Sequence, residues 1–398
     1  MLEISEDLLN INNNVYSEHN FRKKFIKSNH KIDGEGIFFI RQNTDLDLTV
    51  LKDVIKFVGS YRKYSFDKKY TLNFIFNNVN MKDKLTLNLL ECVFFELITK
   101  YDYMIRVNYS IPSNIISDEV NFSALRFLGD NEYSIEKFKR NFMYSVTKDT
   151  YRRIVPKHKQ QNDNTLSKLL TDLQNFLSGQ VKNDIFVNEI SKVVSELVGN
   201  AVTHGESDCL IDLHVTTPTY GKQDNTDDAN YYGINISIIN FSEILFSDKV
   251  KSKILKNTIF SGRYEARYYA LKEAYKFHKK YFTPTYKEVD FWNLAAMQNN
   301  ISGRPSVNAG GKGLQDLIKS LQLASENDIC YLLSGNRRFD FKRNDYASID
   351  EEWFGANDKH DFLSALPTYD RFSNVATTLN GTAYNLSFVM KEEINDGN

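Results

Sequence analysis

Apolar residues recur along this chain in two rhythms, and the first hundred residues alternate between them. Ile37-Phe38-Phe39-Ile40 is a short apolar run of strand length. Leu48, Leu51, Ile55 and Val58 follow at spacings of three and four, predicting a helix over 48–61. Residues 72–76 read as a second strand. Residues 84–100 read as a helix with Leu87, Leu90, Phe94, Leu97 and Ile98 inward, and residues 103–109 as a third strand. Strand, helix, strand, helix, strand predicts a small α/β layer domain with partly parallel strands, spanning about 1–118. Before it, residues 1 to about 30 are polar, with Asn12-Asn13-Asn14 and the basic cluster Arg22-Lys23-Lys24, suited to a short helix or an arm.

Residues 119–164 carry mixed charge, including Lys137-Phe-Lys139-Arg140 and Arg152-Arg153. They end in the polar stretch Gln160-Gln161-Asn162-Asp163-Asn164, which suits a connection between domains. From there to about 392 the pattern predicts a second, larger domain. Leu166, Leu169, Leu170, Leu173 and Phe176 mark one helix. Ile190, Val193, Val194, Leu197 and Ala201 mark the next, read as one continuous helix that stops at Gly205 in a left-handed conformation. Residues 209–215 and 232–239 are strands joined by a polar, acidic loop (218–230), predicting an antiparallel hairpin. Ile234, Ile236 and Ile238 alternate at period two in the second strand. Residues 328–333 predict a strand, Ser334-Gly335-Asn336 a turn and residues 338–341 a returning strand. Residues 343–374 are irregular and acidic, and 379–389 form a final strand.

Composition narrows the class. The chain has 398 residues, 41% of them hydrophobic, enough for a core, and a formal net charge of −1, so no global field draws it to nucleic acid or membrane. Cys92, Cys209 and Cys330 are isolated, each in or beside an apolar run, without zinc spacing; they read as buried thiols of a reducing compartment. No stretch has the pattern of a signal peptide or of a membrane-spanning helix, so the expectation is a cytoplasmic protein.

The candidate chemistry lies in the second domain. Glu196 and Asn200 are one helical turn apart, at the edge of the apolar face, where a carboxylate and an amide are not ordinary solvent decoration. Glycines at 310, 311 and 313, with Lys312 among them, precede Leu314, Leu317, Ile318 and Leu321 at helical spacing. Glycines let backbone N–H groups turn toward an anion, and a following helix N-terminus favours negative charge. Residues 249–287 hold eleven Lys or Arg against two Glu. Within them Tyr264, Tyr268, Leu271, Tyr275 and Phe282 form an aromatic stripe on a helix over 263–282, and His278 reads as a surface residue. Such a segment either packs by its stripe or grips nucleic acid or an acidic partner.

The pattern Glu196-x-x-x-Asn200-Ala-x-x-His204-Gly205 resembles the N-box of the GHKL ATPases, the superfamily of gyrase, Hsp90, histidine-kinase and MutL nucleotide-binding domains. The His-Gly ending is most similar to the anti-sigma-factor serine kinases. Gly311-Lys312-Gly313-Leu314 resembles the motif that closes the lid over the phosphates, and Gly381-Thr382 the last motif, whose Thr supports the group facing adenine. The resemblance implies a two-layer α/β sandwich with a mixed sheet, ATP bound with Mg2+, Asn200 as the metal ligand and Glu196 as the base that activates water. Residues 249–287 would then be the lid, and His204 a further nucleotide-site residue. It also implies a protein partner, with a homodimer among the arrangements open to it. Where the family has Asp-x-Gly-x-Gly, this chain has Asn240-Phe241-Ser242-Glu243-Ile244. Asn still offers an acceptor to adenine, but also donors for a different base. Three activities stay open: a slow ATPase or ATP-driven switch, a serine/threonine kinase, and a degenerate nucleotide-sensing scaffold in stress signalling or phage defence. The segment 72–109 is weakly similar to a STAS domain. Thr86 is the nearest hydroxyl where that family presents its serine, and a plain βαβ unit fits the same pattern.

Overall fold

A computed structural model of the protein describes residues 31–33, 36–62, 70–110, 122–157, 164–205, 207–216, 231–256, 259–303, 317, 330–342 and 353–391. The polar N-terminal arm, the 160–163 connection and the 218–230 loop lie outside them. The chain divides into two units: Met1–Ile154 with Leu210–His214 and Val375–Thr378, and Val155–Cys209 with Val215–Asn374 and Leu379–Asn398. Both mix helices and strands, giving the expected α/β class.

In the first unit the alternation becomes β1 (Lys31–Asp33), β2 (Gly36–Gln42), β3 (Asp45–Leu46), α1 (Leu48–Arg62), β4 (Thr71–Asn77), β5 (Asn80–Met81), α2 (Lys84–Tyr101) and β6 (Met104–Ser110). The main sheet has the order β1-β2-β4-β6, with β2, β4 and β6 parallel. Each helix begins where an aspartate accepts from its first turn. Asp47 Oδ1 takes the N–H groups of Thr49 and Val50 at 2.8 and 3.1 Å, and Asp83 Oδ1 takes that of Thr86 at 2.6 Å. The period-two apolar positions Phe39 and Phe74 meet the helices through Phe57 and Phe94, with ring centroids 4.6–5.5 Å apart. Thr86 is fully buried, so its hydroxyl is not presented to a modifying enzyme.

After β6 come α3 (Ile135–Met143), β7 (Tyr144–Val146), β8 (Thr150–Val155) and, later in sequence, β9 (Cys209–Thr216), through which the division between units runs. Arg152 of β8 is buried among Glu91, Asn88 and Lys84 of α2 and Asp212 of β9. Its Nε donates to Asp212 Oδ2 at 2.6 Å, and its Nη2 to Asn88 Oδ1 at 3.0 Å and to the Glu91 and Asp212 carboxylates. Lys84 Nζ lies 3.1 Å from Asp212 Oδ1, and Glu91 Oε1 accepts from Ser123 Oγ and the Ala124 N–H. Burial alone would raise the Asp212 carboxyl; the Arg152 guanidinium and the Lys84 ammonium outweigh it and hold the pKa at about 2.

The second unit contains α4 (Thr165–Ser178), α5 (Asp184–Asn200), β10 (Tyr231–Phe241), α6 (Asp248–Lys256), α7 (Glu265–His278), α8 (Glu288–Met297), β11 (Tyr331–Asp340) and β12 (Phe372–Lys391). Its strands run β10-β12-β11, with β12 antiparallel to both neighbours. Thr216 Oγ1 bonds both the N–H and the carbonyl of Gly233, and the Cys209 thiol bonds the Ile239 backbone. Those pairings run in opposite directions, so β9 and β10 form the predicted antiparallel hairpin. All three cysteines are buried.

Three local expectations are corrected. The α-helix stops at Asn200 and widens into a π-helical turn over Ala201–Gly205, and Gly205 is not among the glycines with positive φ. Ser334-Gly335-Asn336 is not a turn between strands. Gly335 (φ 60°) absorbs a bulge, and β11 continues through it against β12. The final strand begins at Phe372, inside the stretch expected to be irregular. No described helix is long and apolar enough to cross a membrane.

Candidate functional site

Helix α5 is set by the side chain of Asn183, which caps it through Phe186 N at 2.9 Å, and by burial of Ile190, Val193, Val194 and Leu197. Helix α4 packs beside it so closely that a Cβ on Gly199 would sit 3.2 Å from Leu166 Cδ1. This packing fixes the rotation of the helix, and Glu196 and Asn200, both half-buried, fall on the wall of a cavity that opens to solvent. The opposite wall is the sheet. Ile238 and Asn240 alternate on β10, Thr382 and Tyr384 alternate on β12, and the register pairs Ile238 with Tyr384 and Asn240 with Thr382. Leu245, Phe246, Val250, Ala296 and Ile301 supply an apolar side. An apolar cleft with a few convergent polar groups has the make-up of a small-molecule site.

Asn240 has its polarity fixed by its surroundings. Its Nδ2 donates to Ser207 Oγ at 2.5 Å and to the carbonyls of Asp208 and Ser207 at 3.1 and 3.4 Å. Carbonyls only accept, so the amide nitrogen must face them and the oxygen must face the other way. That oxygen lies where a Cβ on Gly205 would come within 2.2 Å, and it accepts no hydrogen bond among the described residues. Gly205 is therefore needed for space, not for a left-handed stop. Gly381 (φ 128°) is needed for both reasons, since its Cβ would meet the Asn240 carbonyl at 2.0 Å. After Asn240, where the family's glycines are missing, the Ser242 Oγ donates to the Gly205 carbonyl at 2.5 Å and accepts from Ile244 N at 2.9 Å.

The cavity thus brings together Glu196, Asn200, Asn240 and Thr382 of the residues singled out from the sequence. His204 belongs to the π turn, but its side chain lies outside the described residues, as do Gly311, Lys312, Gly313 and Leu314. Leu317, one of the apolar positions after them, is helical and buried. Sequence reasoning missed Tyr384, Ser207, Lys249 and the apolar side. Tyr384 was within reach, standing two positions after Thr382 on the same strand face. Burial raises its phenol pKa, with the Cys209 thiol and the Glu196 carboxylate adding to the rise, so it stays protonated beside the cavity.

The basic segment 249–287 packs by its aromatic stripe. Tyr268 and Leu271 are buried, and four of the cations lie against rings or acids of their own unit: Lys253 over Tyr268, Arg267 over Trp353, Lys251 with Glu288, and Lys276 with Glu273. His278 is a correction. It is fully buried, with Nε2 2.8 Å from the Phe362 carbonyl and Nδ1 2.8 Å from Tyr286 Oη. The aromatic spacing that buries Leu271 carries round the helix to it. The base of the segment is held by a buried ion pair, Arg337 Nε and Nη2 donating to the two oxygens of Asp290 at 2.6 Å each.

Among the described residues no three His, Cys, Asp or Glu side chains converge as a metal site. A hard cation held chiefly by a ligand's own oxygens needs less from the protein, and one amide oxygen such as that of Asn200 would suffice. No family model, curated protein or solved structure matched the chain.

Proposed function

We propose that this cavity takes ATP with Mg2+ in the manner of the GHKL ATPases, and that the chain is a slow ATPase or ATP-driven conformational switch. The observation that carries the reading is Asn240. The sequence left its amide able to donate or accept; the carbonyls of Ser207 and Asp208 consume the donors. The oxygen that remains is an acceptor, and an exocyclic amino group such as that of adenine supplies the matching donor, whereas the carbonyl of guanine does not. The helix-then-hairpin order and the convergence of Glu196, Asn200, Asn240 and Thr382 on one cavity support the same reading.

In this reading Asn200 would hold the magnesium ion, whose chemistry is to neutralise charge on the phosphates. Glu196, one turn earlier, would accept a proton from water aligned with the terminal phosphate. Gly311, Lys312, Gly313 and Leu314 would meet the phosphates, and Thr382 would support the base-facing Asn240.

Incubation with terminally labelled ATP and magnesium tests this. Free labelled phosphate is expected; label transferred to a partner protein would make it a kinase, and binding without either a sensor. Asn200→Ala should remove the magnesium-dependent part of ATP affinity, measured calorimetrically. Glu196→Ala should keep binding and abolish turnover. Unchanged affinity in Asn200→Ala with metal present, or equal turnover in Glu196→Ala, would remove the corresponding role.

A further inference from the structure

Glu196 and Lys249 are the two charged residues among the described residues that line the cavity. Glu196 would repel a polyphosphate, so the described wall supplies one cation to offset it. Lys249 stands in the first turn of α6, where the helix dipole disfavours a positive charge, and helix stability alone gives no reason for it there. Its backbone is held firmly. Gly303 approaches so closely that a Cβ there would lie 2.4 Å from Lys249 Cβ and 3.0 Å from its carbonyl carbon. One turn on, Lys253 Nζ donates to the Ser302 carbonyl at 3.2 Å and to Tyr268 Oη at 2.9 Å, and Tyr268 Oη bonds both the N–H and the carbonyl of Ser302. Ser302 and Gly303 line the cavity too, and the chain runs from them toward the glycine-rich stretch.

We infer that Lys249 is a nucleotide-binding residue whose ammonium engages the phosphate oxygens of the bound ligand from the α6 side. Its helix is clamped to the Ile301–Gly303 wall, which holds the backbone of Lys249 beside the cavity. The inference rests on the reading of the cavity as an adenine-nucleotide site and names a residue which that reading does not. A phosphate–ammonium contact is a charge-assisted hydrogen bond, stronger than a neutral one, and it exists only for ligands that carry phosphate.

The test compares ATP with adenosine, by calorimetry, in the parent and in Lys249→Met and Lys249→Arg, with thermal unfolding as the check on folding. Lys249→Met should weaken ATP by roughly tenfold or more and leave adenosine unchanged, while Lys249→Arg keeps most of the ATP affinity. Equal weakening of ATP and adenosine, or no weakening of either, would overturn the role of Lys249 and leave the cavity reading standing. A parent that binds neither ligand would instead overturn the cavity reading, and the inference with it.

Discussion

Two regions of this molecule hold acids, bases and amides largely out of water, and they do so to opposite ends. In the first unit Arg152, Lys84, Glu91 and Asp212 are all buried, and each charge is answered by another or by a hydrogen-bonding neighbour. Two cations meet two carboxylates, and none of the four lines the cavity of the second unit. In the second unit Glu196, Asn200, Asn240 and Lys249 stand around open space, and Asn240 turns its acceptor away from the groups that use its donors. Burial of polar groups is common to both. What separates them is access: a network buried on all sides specifies a fold, and groups set along the wall of an open cavity are within reach of a ligand.

The largest expected effect is in the closed network. Arg152→Met leaves Glu91 and Asp212 without their chief counter-charge, and breaking a buried pair from one side costs about 3–5 kcal/mol. Urea unfolding of the variant should show that loss. The same measurement on Glu196→Ala and Asn200→Ala should show less than about 1 kcal/mol, because the half-buried cavity wall gives up little when shortened. If Arg152→Met cost no more than Glu196→Ala, access would not be the distinction between the two regions.

A smaller effect probes the open site from its closed side. Asn240→Asp would introduce the residue type of the GHKL pattern that this stretch resembles. Here it would turn a carboxylate oxygen toward the carbonyls of Asp208 and Ser207, where the amide nitrogen now donates at 3.1 and 3.4 Å. Replacing a donor by an anion among acceptors should destabilise the chain by about 1–3 kcal/mol. Unfolding midpoints decide it, and a variant as stable as the parent would mean that Asn240 is free to reorient, removing the argument that its oxygen is fixed away from the Ser207 and Asp208 carbonyls.

These cases also show where sequence reasoning reached and where it stopped. Period-three-and-four and period-two spacings located α1, α2, β4 and β6 to within a residue or two, because each element buries one face against another and the spacing records it. The same reasoning put Glu196 and Asn200 on one wall. It could not see that Gly205 serves a close approach to Asn240, since nothing local distinguishes a glycine kept for space from one kept for positive φ. It misread Gly335 as a turn for the same reason. A glycine that bends a strand and one that reverses it look alike until the partner strand is present. His278 was misplaced because its neighbours in sequence are basic, while the groups that bury it, Tyr286 and Phe362, lie eight and eighty-four positions away.

His278 gives the mildest prediction and shows that burial on all sides is not a property of one unit alone. It lies in the same unit as the cavity, yet it is as self-satisfied as Arg152. A carbonyl can only accept, so Nε2 carries the proton toward Phe362, and the unprotonated Nδ1 accepts from Tyr286 Oη. A neutral imidazole satisfies both partners. Burial lowers its pKa, against the upward pull of the Phe362 hydrogen bond and the Asp361 carboxylate. A histidine with a folded pKa below the unfolded value of about 6.5 binds more protons when unfolded, so its contribution to stability is fully present above that value. It is lost as pH falls through 6.5 toward the folded pKa. Thermal unfolding between pH 7 and pH 5 should therefore show a lower midpoint in acid, and His278→Gln, which cannot titrate, should show a shallower dependence across the same interval. Parallel curves for parent and variant would mean that protonation at this position is not resisted by the fold, and the imidazole would then belong with the open groups of the cavity wall, not with the closed ones.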